Sequence, residues 1–266
     1  MIYVEHQPGP AISACVRFLW YCRAPALAHA RERILPRGDM QIVVNLAGDT
    51  LTQHSMDDAG EVSALPLSIV VGARGRYDIV DTRDLEELLG VVFWPGGAAP
   101  FFREDAGAFF EKFISLEDVV GCSDFRARLQ EQRSPQQKLL ALERWLAAGV
   151  ADRLPRRKPV VIQALHLLSR HSVRASARLL ALSERRLRQI VTTEVGLSPK
   201  LWSRVQRFQR AVDLLHKGAE PRWSTLALEC GFYDQSHFCN EFRAFSGLDP
   251  SGYSASHRVW ANHVPQ

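Results

Sequence analysis

The sequence predicts an α+β multidomain chain, with an N-terminal all-β sandwich or barrel domain over residues 1–155 and an all-α domain over residues 156–266. Three observations predict it. The first is charge: residues 1–155 carry 16 Lys and Arg against 21 Asp and Glu, and residues 156–266 carry 17 against 8. The formal charge of +4 therefore divides into −5 and +9. The second is a series of short β-rich runs confined to the first part. The third is a repeat of about 50 residues confined to the second part.

Composition bounds the class. With 46% hydrophobic and 23% charged residues in 266, the chain is of ordinary globular type. No apolar run approaches the roughly 18–20 residues of a membrane span. The segment from Met1 to Pro10 lacks the basic and apolar regions of a signal peptide. Five cysteines (Cys15, Cys22, Cys122, Cys230, Cys239) fit no CxxC spacing, so a reduced, cytoplasmic protein is expected.

In the first domain, Phe18–Cys22, Gln41–Leu46, Leu67–Val71 and Val91–Trp94 are rich in β-branched and aromatic residues. Pro36-Arg37-Gly38-Asp39, Gly48-Asp49, Gly72-Ala73-Arg74-Gly75 and Pro95-Gly96-Gly97 punctuate them. No long helical pattern intervenes, which argues against a doubly wound α/β domain and points to an all-β sandwich or barrel. Gly72–Gly75 precedes no helix signal, so it reads as a turn and not as a phosphate loop. Residues 124–132 and 136–149 have helical spacing, with Leu139, Leu142, Leu146 and Val150 as an apolar stripe. Such helices serve either to pack on the barrel or to pair with a second copy. Residues 154–159, Leu-Pro-Arg-Arg-Lys-Pro, read as a short stiff linker.

In the second domain two segments align. Ala177, Ala181, Leu182, Leu187, Gly196, Leu197, Pro199 and Trp202 match Ala227, Gly231, Phe232, Phe238, Gly247, Leu248, Pro250 and Tyr253. The offset is 50 up to Leu182 and 51 from Leu187 onward, so one extra residue sits near the second turn. Each copy reads as a helix-turn-helix. A small residue allows close helix approach, and the residue four later occupies the turn. Ser183 caps the first copy's second helix. Leu187, Ile190 and Val191 face the core of that copy, and Phe238, Phe242 and Phe245 that of the other. Gly196 and Gly247 stop the helices, and Ser198-Pro199 and Asp249-Pro250 start the next. The opposite faces carry Glu184, Arg185, Arg188 and Gln189 in one copy, and Gln235, Ser236, His237, Cys239 and Asn240 in the other. Arg pairs with guanine, and Gln or Asn with adenine, in the major groove. In a segment of this charge the pattern points to duplex DNA.

Residues 226–243, Leu-Ala-Leu-Glu-Cys-Gly-Phe-Tyr-Asp-Gln-Ser-His-Phe-Cys-Asn-Glu-Phe-Arg, resemble the signature of AraC-type (AraC/XylS) transcription regulators. Gly247-Leu248-Asp249-Pro250 and Tyr253 continue it, and Leu182–Gln189 with Gly196–Pro199 match the first half of the same domain. The resemblance spans about residues 158–257. It implies two helix-turn-helix units joined by a helix near 200–217, with recognition helices near 184–195 and 235–245 entering adjacent major grooves about 34 Å apart. By motif position it implies Arg185, Arg188 and Gln189 as base readers of the first unit. Gln235, Ser236, Cys239 and Asn240 line the second, with His237 at the edge. Asn240 stands where the family often has Arg, and Glu241 adds an acid. The second unit is therefore expected either to bind more weakly or to read adenine through Asn240.

Residues 34–46 and 92–101 more faintly resemble a cupin-like sensor domain. That resemblance implies a small barrel with an effector pocket, for which Trp20, Arg37, Asp39, Asn45, His54, Tyr77 and Trp94 are the candidate lining residues. Implied partners are double-stranded DNA, a small-molecule effector, a second copy, and RNA polymerase if the protein activates. No catalytic set, cofactor or metal site is expected, because the nine histidines show no HxH or HExxH spacing. Cys230 and Cys239 read as buried or interface thiols. The alternative, a barrel enzyme with an appended DNA-binding module, would need metal-ligand histidines that the spacing does not supply.

Overall fold

Alternation in Val16–Arg23 and Gln41–Asn45 turns one face of each run inward, and both runs are strands. The structure, a computed structural model, describes residues 1–24, 27–55, 61–151, 156–217, 222–256 and 258–266. One antiparallel sheet contains β1 (Ile2–His6), β2 (Val16–Arg23), β4 (Gln41–Asn45), β7 (Ser68–Val71), β9 (Glu87–Phe93) and β10 (Phe113–Ser115), in the spatial order β1-β2-β9-β4-β7-β10. The other contains β3 (Arg31–Ile34), β5 (Thr52–His54), β6 (Val62–Ala64), β8 (Asp78–Asp81) and β11 (His263–Pro265), in the order β11-β3-β8-β5-β6.

The sheet domain is not the closed barrel expected. It is two open sheets, and no ladder joins one to the other among the described residues. Three of the four sheet edges, β6, β10 and β11, are strands of only three residues, so each offers few backbone groups for pairing across the gap. The edge beside β3 is taken by β11, which comes from the end of the chain.

Three helices complete this domain: α1 (Leu116–Val120), α2 (Phe125–Gln130) and α3 (Pro135–Gly149). The stripe Leu139, Leu142, Leu146 and Val150 is buried in the chain's own core, so the first of its two readings holds for the packing. Glu143 of α3 fixes the helix to the first sheet. Its carboxylate accepts from the Gly9 N–H at 2.6 Å and lies 2.6 Å from His6 Nε2. Arg126 of α2 donates to the carbonyls of Asn45 and Gly48, each at 2.7 Å.

The remaining helices are α4 (Pro159–Leu168), α5 (Val173–Leu179), α6 (Glu184–Val195), α7 (Pro199–His216), α8 (Trp223–Cys230), α9 (Gln235–Ser246) and α10 (Pro250–Ala255). The expected boundary at 155 lies outside the described residues. Helix α7 is the connector expected near 200–217. Its Gln209 Nε2 donates to the Pro36 carbonyl at 2.7 Å, and Gln206 Nε2 to the Arg37 carbonyl at 3.3 Å. Helix α6 lies on the 3-10 turn Ala106–Phe109, where Thr193 Oγ1 donates to Asp105 Oδ2 at 3.4 Å. Gly196 stands in the left-handed region at φ +89°, and a Cβ there would meet the Ala106 carbonyl oxygen at 2.9 Å. The turn that ends α6 is thus also a close approach between the two domains.

Candidate nucleic-acid interface and ligand cavity

The two helix-turn-helix units close their turns with equivalent bonds. The Leu182 N–H donates to the Ala177 carbonyl at 2.9 Å, and the Phe232 N–H to the Ala227 carbonyl at 2.8 Å. The aligned residues Ala181 and Gly231 both have positive φ, 53° and 84°. Glycine takes that conformation freely, whereas Ala181 is held in it by the surrounding turn. Ser183 Oγ accepts from the Arg186 N–H at 3.2 Å and Asp234 Oδ1 from the His237 N–H at 2.7 Å, so both recognition helices begin on a side-chain cap. These caps fix where the repeat gains its extra residue. It is Tyr233, between Phe232 and the cap Asp234, and it is 85% exposed.

Beneath the reading faces the cores differ in kind. The first unit packs Leu187, Val191 and Val195, all buried, with Ile190 half-buried. The second packs Phe232, Phe238, Phe242, Phe245 and Tyr253 with edge-to-face contacts such as Phe238–Phe242 at 5.6 Å.

On the first reading face Arg185, Arg188 and Gln189 are exposed together. Exposed Arg186 was not singled out from the sequence. Its Nη1 donates to Gln189 Oε1 at 2.8 Å and orients that amide. On the second face Gln235, Ser236 and Asn240 are exposed, while His237 and Cys239 are half-buried. His237 turns back to its own turn, where its Nδ1 accepts from the Tyr233 N–H at 3.2 Å and its ring meets Phe232 edge-on at 5.6 Å.

Glu241 is not a free acid on the DNA side. It accepts two bonds from Arg204 of α7, each at 2.7 Å, and so clamps α9 to the connector. Burial works against its charge, but the Arg204 hydrogen bonds hold the carboxyl below its ordinary value. The expected weakening of the second unit by this acid therefore loses its basis. Burial pushes the Cys230 thiol up to about 11 and raises Cys239, which fits packed thiols that stay protonated.

The seven candidate ligand residues do not converge. Trp20, Arg37 and Asp39 border one cavity of about 360 Å3 between the sheets, with Phe18, Val43, Ile69, Val92 and others. Trp20 lies flat over Gly90, where a Cβ would come within 2.4 Å of the indole. Asn45 is instead fully buried in a turn. Its Nδ2 donates to the Thr50 and Asp84 carbonyls and its Oδ1 accepts from Ala47 and Gly48. His54 and Tyr77 border a separate polar cleft, where His54 Nε2 lies 2.8 Å from Asp81. Tyr77 also touches Gly247 of the helical domain. Trp94 lies under Arg17 and Arg157, each 5.2 Å from its ring centroid.

Sequence reasoning missed Glu32, Arg74, Asp78, Trp260, Asn262 and His263 on the cavity wall. Arg74 Nη1 donates to Asp78 Oδ1 at 2.7 Å, while its buried Nε and Nη2 have no partner. Burial pushes the Asp78 carboxyl up to about 6, against the pull of Arg74. Among the described residues no cluster of three or more His, Cys, Asp or Glu is placed to hold a metal ion, and no helix is long and apolar enough to cross a membrane.

Two capped helix-turn-helix units on one connecting helix, with polar faces outward, have the architecture of a DNA-binding transcription regulator. Residues 176–256 match a helix-turn-helix domain family, and residues 4–115 match a domain of unknown function (DUF6597). No curated protein matches the sequence. Similar solved structures include ToxT from Vibrio cholerae, at 10% identity and TM-score 0.48, over 96% of this chain and 98% of that one. Another is Vibrio cholerae ToxT bound to (E)-4-(8-methylnaphthalen-1-yl)but-3-enoic acid, at 10% identity and TM-score 0.49, over 96% and 98%. A third is an AraC-type DNA-binding domain protein from Chromobacterium violaceum, at 24% identity and TM-score 0.33, over 36% of this chain and 93% of that one.

Proposed function

We propose that the protein regulates transcription in the cytoplasm by sequence-specific DNA binding, under control of a small-molecule effector in the cavity of its N-terminal domain. One observation carries the DNA half. Helix α6 exposes Arg185, Arg188 and Gln189 and helix α9 exposes Gln235, Ser236 and Asn240, in a segment whose formal charge is +9. In this reading Arg185 and Arg188 take guanine or phosphate, Gln189, Gln235 and Asn240 take adenine edges, and Ser236 supports them. His237 and Cys239 line the second face from behind.

The effector half is supported by the cavity's size and lining. Its volume of about 360 Å3 falls in the range of roughly 300–1,000 Å3 usual for small-molecule sites. Trp20, Arg37 and Asp39 set polar groups beside an apolar floor, as a cupin-like sensor would. A second copy of the chain and, for an activator, RNA polymerase are the further partners of this reading. The test is a salt titration of the full-length protein on duplex DNA. Neutralising about six to eight phosphates gives log K against log[salt] a slope of about −5 to −7. A slope near zero contradicts the reading.

A further inference from the structure

The cavity is walled in part from the far end of the chain. Trp260, Ala261, Asn262 and His263 border it, and all four follow the last helix of the DNA-binding domain. They reach it because the tail returns as β11 and pairs antiparallel with β3, setting His263 opposite Ile34 and Val264 opposite Arg33. The Leu35 N–H donates to the Asn262 carbonyl and the Gln266 N–H to the Arg31 carbonyl, each at 2.9 Å. His263 Nδ1 lies 2.9 Å from Glu32 Oε2, Val264 is fully buried, and the Trp260 ring sits 6.0 Å from Tyr3.

The same tail is tied to the DNA-binding domain. Tyr253 of α10 donates its hydroxyl to the Ala261 carbonyl at 2.7 Å. Gln209 Nε2 of α7, already bonded to the Pro36 carbonyl, also donates to Asn262 Oδ1 at 2.7 Å. A three-residue strand is a small seam. Its docking is of a size that one ligand's contacts can shift.

We infer that the effector site is bipartite: the sheets supply the floor, and the tail of the DNA-binding domain supplies a wall through Trp260, Asn262 and His263. This rests on reading the cavity as an effector site. A ligand that touches both parts binds more tightly when the tail is docked, and by linkage it holds the tail docked by the same factor. Occupancy then reaches the recognition helices through α10 and α7, which hold the tail.

The lining also narrows the ligand's chemistry. Its acids and bases are already matched: Glu32 with His29 and His263, Arg37 with Asp39, Arg74 with Asp78. A charged group placed anywhere but on the two unpartnered donors of Arg74 would have to break such a pair at a desolvation cost. Those spare donors favour an acceptor atom. The class is a mainly apolar molecule carrying a carbonyl-type oxygen.

The test uses 6-propionyl-2-(dimethylamino)naphthalene, a flat neutral fluorophore with one carbonyl, on four full-length or near-full-length proteins. These are the wild type, a chain ending at His257, Trp260→Ala, and Val259→Ser as a control on the exposed side of the tail. The expected result is saturable one-to-one binding by the wild type, weakened about tenfold by truncation and about threefold by Trp260→Ala, and unchanged in the control. Bound probe also slows amide exchange at Leu35 and Gln266, whose N–H groups cross the β3–β11 seam. Wild-type affinity in the truncated chain, or in Trp260→Ala should the truncated chain not melt cooperatively, overturns the bipartite site and leaves the effector reading standing. Unchanged exchange with probe bound overturns the linkage. No saturable binding by the wild type overturns both readings.

Discussion

The two helix-turn-helix units have the same turn geometry and both cap the second helix with a side chain, yet they expose different chemistry. The first exposes Arg185, Arg186 and Arg188 over an aliphatic core. The second exposes Gln235, Ser236 and Asn240 over an aromatic one, turns His237 back to its own loop, and spends Glu241 on Arg204. Duplication of a fold therefore does not duplicate its exposed face. The backbone is set by small residues, caps and helix stops, which the repeat retains. The outward side chains are free of that constraint, and here they divide into an arginine-rich face and an amide-bearing face.

Breaking the two cores gives the largest effects. Phe242→Ala removes a fully buried ring that packs on Phe208, Phe238 and Tyr253, and should cost about 3–5 kcal/mol. Leu187→Ala in the first unit should cost about 2–5 kcal/mol, with the aliphatic site better able to relax. Denaturant melts of both variants check the pair, and a smaller loss for Phe242→Ala would reverse the comparison.

On DNA the units should separate in the same way. Arg188→Ala is expected to cost about 1–3 kcal/mol of binding and Asn240→Ala less, as measured by anisotropy at fixed salt. Glu241→Gln tests the clamp. It should lose about 1–2 kcal/mol of stability, because one hydrogen-bonded charge pair is broken in a partly exposed place. Since the folded carboxyl titrates below its ordinary value, the clamp's contribution is full above that ordinary value and fades as pH falls through the lowered one. Wild type and Glu241→Gln should therefore converge in melting temperature on acidification. The smallest effect falls on the inserted residue. Tyr233→Ala should change stability by no more than about 0.5 kcal/mol, since its bond to His237 is made by the backbone N–H.

The helical domain was legible because its signals are local. Caps, Gly stops and apolar spacing act within a few residues, and the repeat states them twice. The one-residue gap was visible too, although only the Asp234 cap identifies it as Tyr233. The strands were legible as runs, but closure was not, because pairing joins distant segments and the edge beside β3 is filled by residues 263–265. The cavity was legible only at Trp20, within β2, and at Arg37 and Asp39, in the turn between β3 and β4. Asn45 carries the same outward signal for another reason, the bonding of a turn. The contact between His263 and Glu32 spans 231 positions, and no spacing rule connects them. Glu241 misled because a helix face read from sequence shows which side a residue takes but not the Arg204 waiting there.

The division between a charged and an amide reading head is tested most directly by selecting preferred sites from random duplexes. The full-length wild type, Arg188→Ala and Asn240→Ala would be compared at one salt concentration. The account predicts that Arg188→Ala relaxes preference at one or two base pairs of one half-site and that Asn240→Ala relaxes an adenine in the other. Unchanged base preference in Arg188→Ala would contradict it.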